Sequence, residues 1–511
     1  MGKDTRRMAI LMAETEAGMV RGTYSGNDEV SVFKGIPFAA PPVDERRWKA
    51  PEPPEHWDGI RDCYIFSDVC IQDQMPKGSF YQKEFYGVEY PMSEDCLYMN
   101  IWTPTESPEE RLPVCFYIHG GGFNAGMACN KGYDGEAFGK KGVITVTFNY
   151  RVGIWGFFAH PELTQEDPHQ TSGNYGILDQ IAALKWVRRN ISVFGGDPDQ
   201  ITVMGQSAGG GSVQLLCESK LTEQCICRAI IQSAIGSMPV RGDDYMFLTE
   251  AEQRGTEILQ ELGAVSVSEA RRMNAMDIQK RFREYGKKHP GFRLKPVKDG
   301  YVIPEEPMEA ACRGHMRDIP YLIGCTADEM GNGFIPPEAR GAHRISSEFS
   351  VRENLIRYMG PASERYYEVP EAARRDMDRV PKRYVLACTA WSDLASRQGR
   401  GPVYQYVFCH RAPGDDSGAF HSVEHPYVFQ TLFRIWRPYG GDDMELSNLC
   451  CSYWTNFIRT GDPNGEGLPE WSPYTEQCPE VMQLDIPASM TCIAETPYVK
   501  LRDLSQGGEN E

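Results

Sequence analysis

The chain has 511 residues, 41% of them hydrophobic and 11% aromatic, which is enough to bury a large core, and it carries a formal net charge of −18. Without a basic excess to neutralise phosphates, nucleic acid and anionic membrane are excluded as main partners; the charge describes an acidic surface, with a lesser leaning towards neutral or cationic small substrates. No apolar run approaches the roughly 20 residues that a membrane-spanning helix needs.

At the N-terminus, Arg6-Arg7 precede Met8-Ala9-Ile10-Leu11-Met12-Ala13, but this apolar stretch is short for a secretion signal and Glu14 and Glu16 follow at once, so a cytoplasmic protein is expected. The sixteen cysteines include Cys115, Cys325 and Cys409 inside apparent strands, which reads as reduced core thiols rather than a disulfide framework. Cys225-Ile226-Cys227 lacks the spacing and the second pair of a zinc knuckle.

Six runs, at 114–118, 143–149, 201–204, 229–233, 322–325 and 403–409, are continuously apolar and β-rich, as strands covered on both faces are. The first leads into His119-Gly120-Gly121-Gly122-Phe123, where successive glycines let backbone N–H groups converge; a flexible linker would not be set between apolar strand residues and Phe123. Between the second and third runs, Ile177, Ile181, Leu184 and Val187 recur at helical spacing, with Arg188-Arg189 near the helix end. Strand, helix, strand predicts a mostly parallel central sheet flanked by helices, with right-handed crossovers.

The third run ends in Gly205-Gln206-Ser207-Ala208-Gly209, a G-x-S-x-G sequence between strand and helix, which predicts a sharp turn holding the Ser207 hydroxyl above the sheet. Parallel sheets bind ligands at this end of their strands. Nucleotide-loop readings fail, because a dinucleotide fingerprint needs Gly where Ser207 stands and a P-loop needs Lys where Gly211 stands. A serine hydroxyl is a poor nucleophile at neutral pH and needs a base, an acid that orients the base, and donors for a developing oxyanion. In α/β-hydrolases an H-G-G-G element after a strand supplies such donors with the residue after the nucleophile, which here gives Gly121, Gly122 and Ala208.

The segments at 240–320 and 335–400 are charged and helix-favouring, and read as helical excursions that roof a pocket or simply pack on the sheet, within a single domain over 1–504. A polar tail, 505–511, is expected to be disordered. Late in the chain His421-Ser422-Val423-Glu424-His425 spells the H-x-x-E-H zinc motif, which would make a metallopeptidase through His421, Glu424 and His425. Pro426 should push His425 away from helical geometry, so that both rings do not share a helix face; no metal and no cofactor is the expectation, with zinc as the alternative.

Further ordered segments are Phe33-Lys34-Gly35-Ile36-Pro37-Phe38-Ala39-Ala40-Pro41-Pro42, Ser93-Glu94-Asp95-Cys96-Leu97-Tyr98-Met99-Asn100, Phe194-Gly195-Gly196-Asp197-Pro198, Pro296-Val297-Lys298-Asp299-Gly300, Trp454-Thr455-Asn456-Phe457 and Thr460-Gly461-Asp462-Pro463-Asn464. With these the chain resembles the type-B carboxylesterases, the family that includes the cholinesterases, over nearly its whole length and in a bacterial-type form. The resemblance implies an α/β-hydrolase fold and a serine carboxylesterase working through an acyl-enzyme.

The resemblance also assigns the partners of Ser207. The family's acid lies in a D-E-G-like turn, matched by Ala327-Asp328-Glu329-Met330-Gly331 with Met330 inserted, which implies Glu329, with Asp328 as its rival. The family's histidine pattern matches His421-Ser422-Val423-Glu424-His425-Pro426-Tyr427-Val428-Phe429 and makes His421 the base, in the order Ser, Glu, His. Glu424 would orient rather than react, and Ser233 would sit near the triad or be a satisfied strand-end hydroxyl. Phe123 and Gln206 are the implied substrate-binding positions; Gln206 stands where cholinesterases carry Glu, which argues against choline-type substrates.

Cys70 and Cys96 align with the family's first disulfide, closing a loop with Phe80, Tyr81, Phe85, Tyr86 and Tyr90, yet a cytoplasmic protein would keep both thiols reduced. The expected activity is hydrolysis of esters with small, largely apolar acyl or aryl groups, with a small-molecule ester as the partner. Monomer and homodimer stay open, as does the alternative of a binding protein that has lost catalysis, although every catalytic part is present.

Overall fold

A computed structural model describes residues 8–87, 89–234, 245–329 and 380–493. Described residues up to Cys227, with Tyr245–Glu306, form one compact unit; the strand beginning at Arg228 and the described residues from Pro307 onward form another.

In the first unit, β1 (Thr23–Ser25), β2 (Asn27–Pro37), β3 (Tyr98–Thr103), β4 (Leu112–Ile118), β5 (Ile144–Phe148) and β6 (Gly196–Gln206) lie in the order β1-β2-β3-β5-β4-β6. Pairing is antiparallel from β1 to β2, β2 to β3 and β3 to β5, and parallel from β5 to β4 and β4 to β6. The register sets Phe116 of β4 beside Val146 on one flank and Val203 on the other, and all three are fully buried. That is the two-sided burial their unbroken apolar runs require.

The expected helix is α1 (Tyr175–Asn190), with Ile177, Ile181, Leu184 and Val187 buried. Its Asp179, also fully buried, accepts two N–H groups of the Arg151 guanidinium at 2.8 and 2.7 Å and the Arg151 backbone N–H at 3.0 Å. A charge so far from water is tolerable only when its partners are this complete. After α2 (Ala208–Glu218), the first excursion holds α3 (Leu248–Leu262) and α4 (Ala275–Lys288), amphipathic helices that bury Ile258 and Leu262, and Ile278 and Tyr285.

In the second unit, β7 (Arg228–Gln232), β8 (Tyr321–Thr326), β9 (Val403–Phe408) and β10 (Glu480–Leu484) run parallel, and β11 (Ser489–Cys492) closes the edge antiparallel to β10. From α5 (Val380–Arg397), Trp391 sets its ring edge-on to Tyr321 of β8 at 5.8 Å. From α6 (Gly441–Thr460), Trp454 packs on Tyr406 of β9 at 5.1 Å. Of the second expected excursion only α5 is described; the rest of it and the tail at 505–511 lie outside the described residues. No helix among the described residues is long and apolar enough to cross a membrane. Cys115 and Cys325 are in the core as expected, while Cys409 is half-buried.

Candidate active site

Strand β6 ends at Gln206 and helix α2 starts at Ala208, which leaves Ser207 alone in the turn with φ 55° and ψ −128°. A side chain in that region is strained and stays there only where its surroundings leave no other choice. They do: a Cβ on Gly205 would stand 2.4 Å from the Gly209 carbonyl oxygen, and one on Gly209 would stand 2.1 Å from that of Ile118. Ser207 remains partly exposed, whereas Gln206 and Ala208 are buried.

The glycine-rich turn after β4 lies directly on this serine. A Cβ on Gly120 would meet the Gln206 carbonyl oxygen at 2.7 Å and Ser207 Cβ at 3.1 Å. Gly121 and Gly122 hold φ of 115° and 62°, and Gly122 has open space around it, so the backbone conformation and not crowding calls for glycine there. Phe123 packs edge-on to Phe157 at 5.4 Å, and Gln206 turns its side-chain oxygen towards Gly120, so both expected substrate-binding residues border the turn. His119 is buried and stacks on Tyr150 with centroids 4.2 Å apart. Burial pushes its imidazole down to about 4, so the ring is neutral at pH 7, and its Nδ1–H donates to the Gly120 carbonyl at 2.9 Å.

In the second unit, Glu329 follows β8 and is fully buried. Its Oε1 accepts the Thr326 N–H at 3.0 Å, and its Oε2 is hydrogen-bonded to His421 Nδ1. Asp328, the rival carboxylate, instead accepts the Ala419 N–H at 2.9 Å and braces the backbone that leads to the histidine. Burial by itself would lower the His421 imidazole, but the Glu329 charge and hydrogen bond, with Glu424 adding to them, hold it above the ordinary histidine value. Burial and the Glu329 charge push Glu424 up to about 8, and its Oε1 accepts the Gln232 amide at 3.3 Å. Burial and then the His421 charge push His425 down to about 3. The Ser233 hydroxyl, buried at a residue with φ 53°, has no hydrogen-bond partner among the described residues.

The zinc motif needs one correction. His425 opens a short helix, His425–Val428, because Pro426 occupies its first turn, where a missing N–H costs nothing. His421 lies before that helix with Nδ1 on Glu329, and no group of three or more His, Cys, Asp or Glu among the described residues could hold a metal ion. Cys70 and Cys96 are buried free thiols hydrogen-bonded to each other. In the aromatic loop that follows Cys70, Tyr86 and Tyr90 pack against a cluster of Val69, Met127 and Cys129.

Sequence reasoning missed the side-chain amides that hold the glycine-rich turn. Asn124 donates to the Gly122 carbonyl at 2.6 Å and to that of Leu294 at 2.9 Å, Asn149 accepts the Ala128 N–H at 2.8 Å, and Gln72 grips Gly126. Isolated amides in loops carry no periodicity, so nothing local marks them.

Residues 10–501 match the model of the carboxylesterase family. The chain is 35% identical over 490 residues to a fumonisin B1 esterase of Sphingopyxis macrogoltabida, covering 92% of this chain and 86% of that one. It is 33% identical over 485 residues to a para-nitrobenzyl esterase of Bacillus subtilis (strain 168), covering 92% and 94%. A solved structure of a carboxylesterase of Geobacillus stearothermophilus aligns with a TM-score of 0.78 at 32% identity, covering 97% of this chain and 100% of that one. The fold is the α/β-hydrolase fold, a mixed sheet flanked by helices.

Proposed function

Because the chain belongs to the carboxylesterase family and is a carboxylic ester hydrolase acting on small-molecule esters, we propose that it works through Ser207 as nucleophile, His421 as base and Glu329 as acid. The observation that carries this reading is the Glu329–His421 hydrogen bond. It commits Nδ1 to the carboxylate and leaves Nε2 as the basic nitrogen, while Asp328 is occupied with Ala419.

In this mechanism His421 Nε2 takes the Ser207 proton as the hydroxyl attacks the ester carbonyl, then returns it to the leaving alcohol. Glu329 fixes the tautomer and stabilises the imidazolium. The N–H groups of Gly121, Gly122 and Ala208 receive the oxyanion, and water, activated by the same imidazole, releases the acid from the acyl-enzyme. Phe123 and Phe157 beside the turn favour esters of small, largely apolar acyl or aryl groups, and the name of the para-nitrobenzyl esterase is consistent with an aryl-bearing ester.

Ser207→Ala and His421→Ala should each lower kcat on a chromogenic short-chain aryl ester by on the order of 10⁶-fold. Near-normal turnover by either variant would overturn the assignment. A panel varying acyl length and leaving group should rank short apolar acyl and aryl esters first; a preference for choline esters would contradict the substrate class.

A further inference from the structure

Of the side chains that hold the glycine-rich turn, Gln72 grips both backbone groups of a single residue, Gly126. Gln72, two residues beyond Cys70, is buried at 5% exposure. Its Oε1 accepts the Gly126 N–H at 2.8 Å and its Nε2 donates to the Gly126 carbonyl at 2.9 Å. Both backbone groups of one residue are thus satisfied by a primary amide, the pattern a neighbouring β-strand would supply. The other Nε2–H donates to the Cys70 carbonyl at 3.0 Å, which anchors the grip to the chain behind it.

From the other side Gly126 is pressed against the start of the turn. Its φ is 127°, and a Cβ there would stand 2.2 Å from His119 Nδ1 and 2.4 Å from the Gly120 carbonyl oxygen. Between the two ends, the Asn124 and Ala125 N–H groups both donate to the Gly121 carbonyl, at 3.1 and 3.0 Å, and a Cβ on Gly121 would stand 1.9 Å from the Ala125 oxygen. The loop is thus folded back on itself, with Gly126 held against Gly120 and Ala125 held against Gly121.

Resting on the reading of Gly121 and Gly122 as oxyanion donors, we propose that Gln72 is a positioning residue for ester hydrolysis, holding those two N–H groups where the oxyanion forms. Donors of this kind act on charge that develops in the transition state, and a misplacement of about 1 Å can cost about 10²-fold in rate with little effect on substrate binding.

Two variants test this. Gln72→Met keeps the length and loses all three hydrogen bonds; Gln72→Glu keeps the shape but sets a carboxylate against the carbonyls of Gly126 and Cys70. Each should lower kcat by about 10-fold to 100-fold with KM within about threefold, and should weaken a trifluoromethyl ketone, which binds as an oxyanion, by the same factor as kcat. A protonated carboxyl can again donate to the Gly126 carbonyl while accepting its N–H. The kcat of Gln72→Glu relative to the wild type should therefore recover as pH falls from about 8 to about 6, and that of Gln72→Met should not. Unchanged kcat in Gln72→Met overturns the proposal, and so does a loss that falls on KM alone or shows no low-pH recovery in Gln72→Glu. Labelling of the wild type by a fluorophosphonate separates the two levels: label on Ser207 with unaffected Gln72 variants rejects the role of Gln72 alone, while an unlabelled Ser207 rejects the underlying reading and this one with it.

Discussion

His421 carries the pH dependence of the proposed reaction, and the sign follows from its surroundings. A general base works when neutral, so kcat/KM rises with pH through the pKa of His421 in the free enzyme. Glu329 and Glu424 hold that pKa above the ordinary 6.5, so the acid limb of the profile should lie above pH 6.5. Glu329→Gln removes the principal charge; the limb should move to lower pH and kcat should fall by on the order of 10³-fold or more. Asp328→Asn, on a carboxylate that accepts the Ala419 backbone N–H, should leave the limb in place, and a larger shift in that variant would reverse the choice of acid. The linkage to stability runs the same way: with its folded pKa raised, His421 stabilises the folded state at low pH, and this contribution is lost as pH rises through that pKa. Ser207 was legible in the sequence because the glycines on either side of it answer to steric contacts that only glycine can meet. Glu329 was not legible alone: 71 acidic residues offer many carboxylates, and its choice over Asp328 rests on family resemblance, with the hydrogen bond to His421 in support.

Among the elements, α1 depends on one buried ion pair. Asp179 and Arg151 are almost wholly removed from water and bonded bidentately, so removing one partner strands the other's charge. Asp179→Asn should lower unfolding free energy by about 3–5 kcal/mol in urea titration, while the double variant Arg151→Met with Asp179→Leu should recover most of it. A loss below about 1 kcal/mol in the single variant would show that the pair does not hold the helix. The strands that could be read, β4 to β9, are those whose apolar runs are unbroken. β2 escaped because Lys34 and Gly35 interrupt its run, where the register with β3 also slips. β11 escaped because Ser489-Met490-Thr491-Cys492 is short and half exposed, an edge strand with little to bury. In the histidine segment a general rule about residues before proline lost to the tolerance for proline in a helix's first turn.

For the whole molecule, composition said little about partners: a net charge of −18 argues against phosphate-rich ones, and the motifs, not the composition, pointed to an esterase. Local periodicity could announce parallel strands with helices between them, but not an order such as β1-β2-β3-β5-β4-β6, which depends on pairings across long sequence separations. The grip of Gln72 on the glycine-rich turn was invisible for the same reason, since Gln72 and Gly126 are 54 residues apart. The central claim concerns a single atom, Ser207 Oγ, and peptide mass spectrometry of the full-length enzyme after exposure to a fluorophosphonate tests it most directly. One equivalent of adduct on the peptide containing Ser207, with parallel loss of esterase activity and no adduct in Ser207→Ala, is the expected result. Adduct on another residue, or loss of activity with Ser207 unmodified, would contradict it.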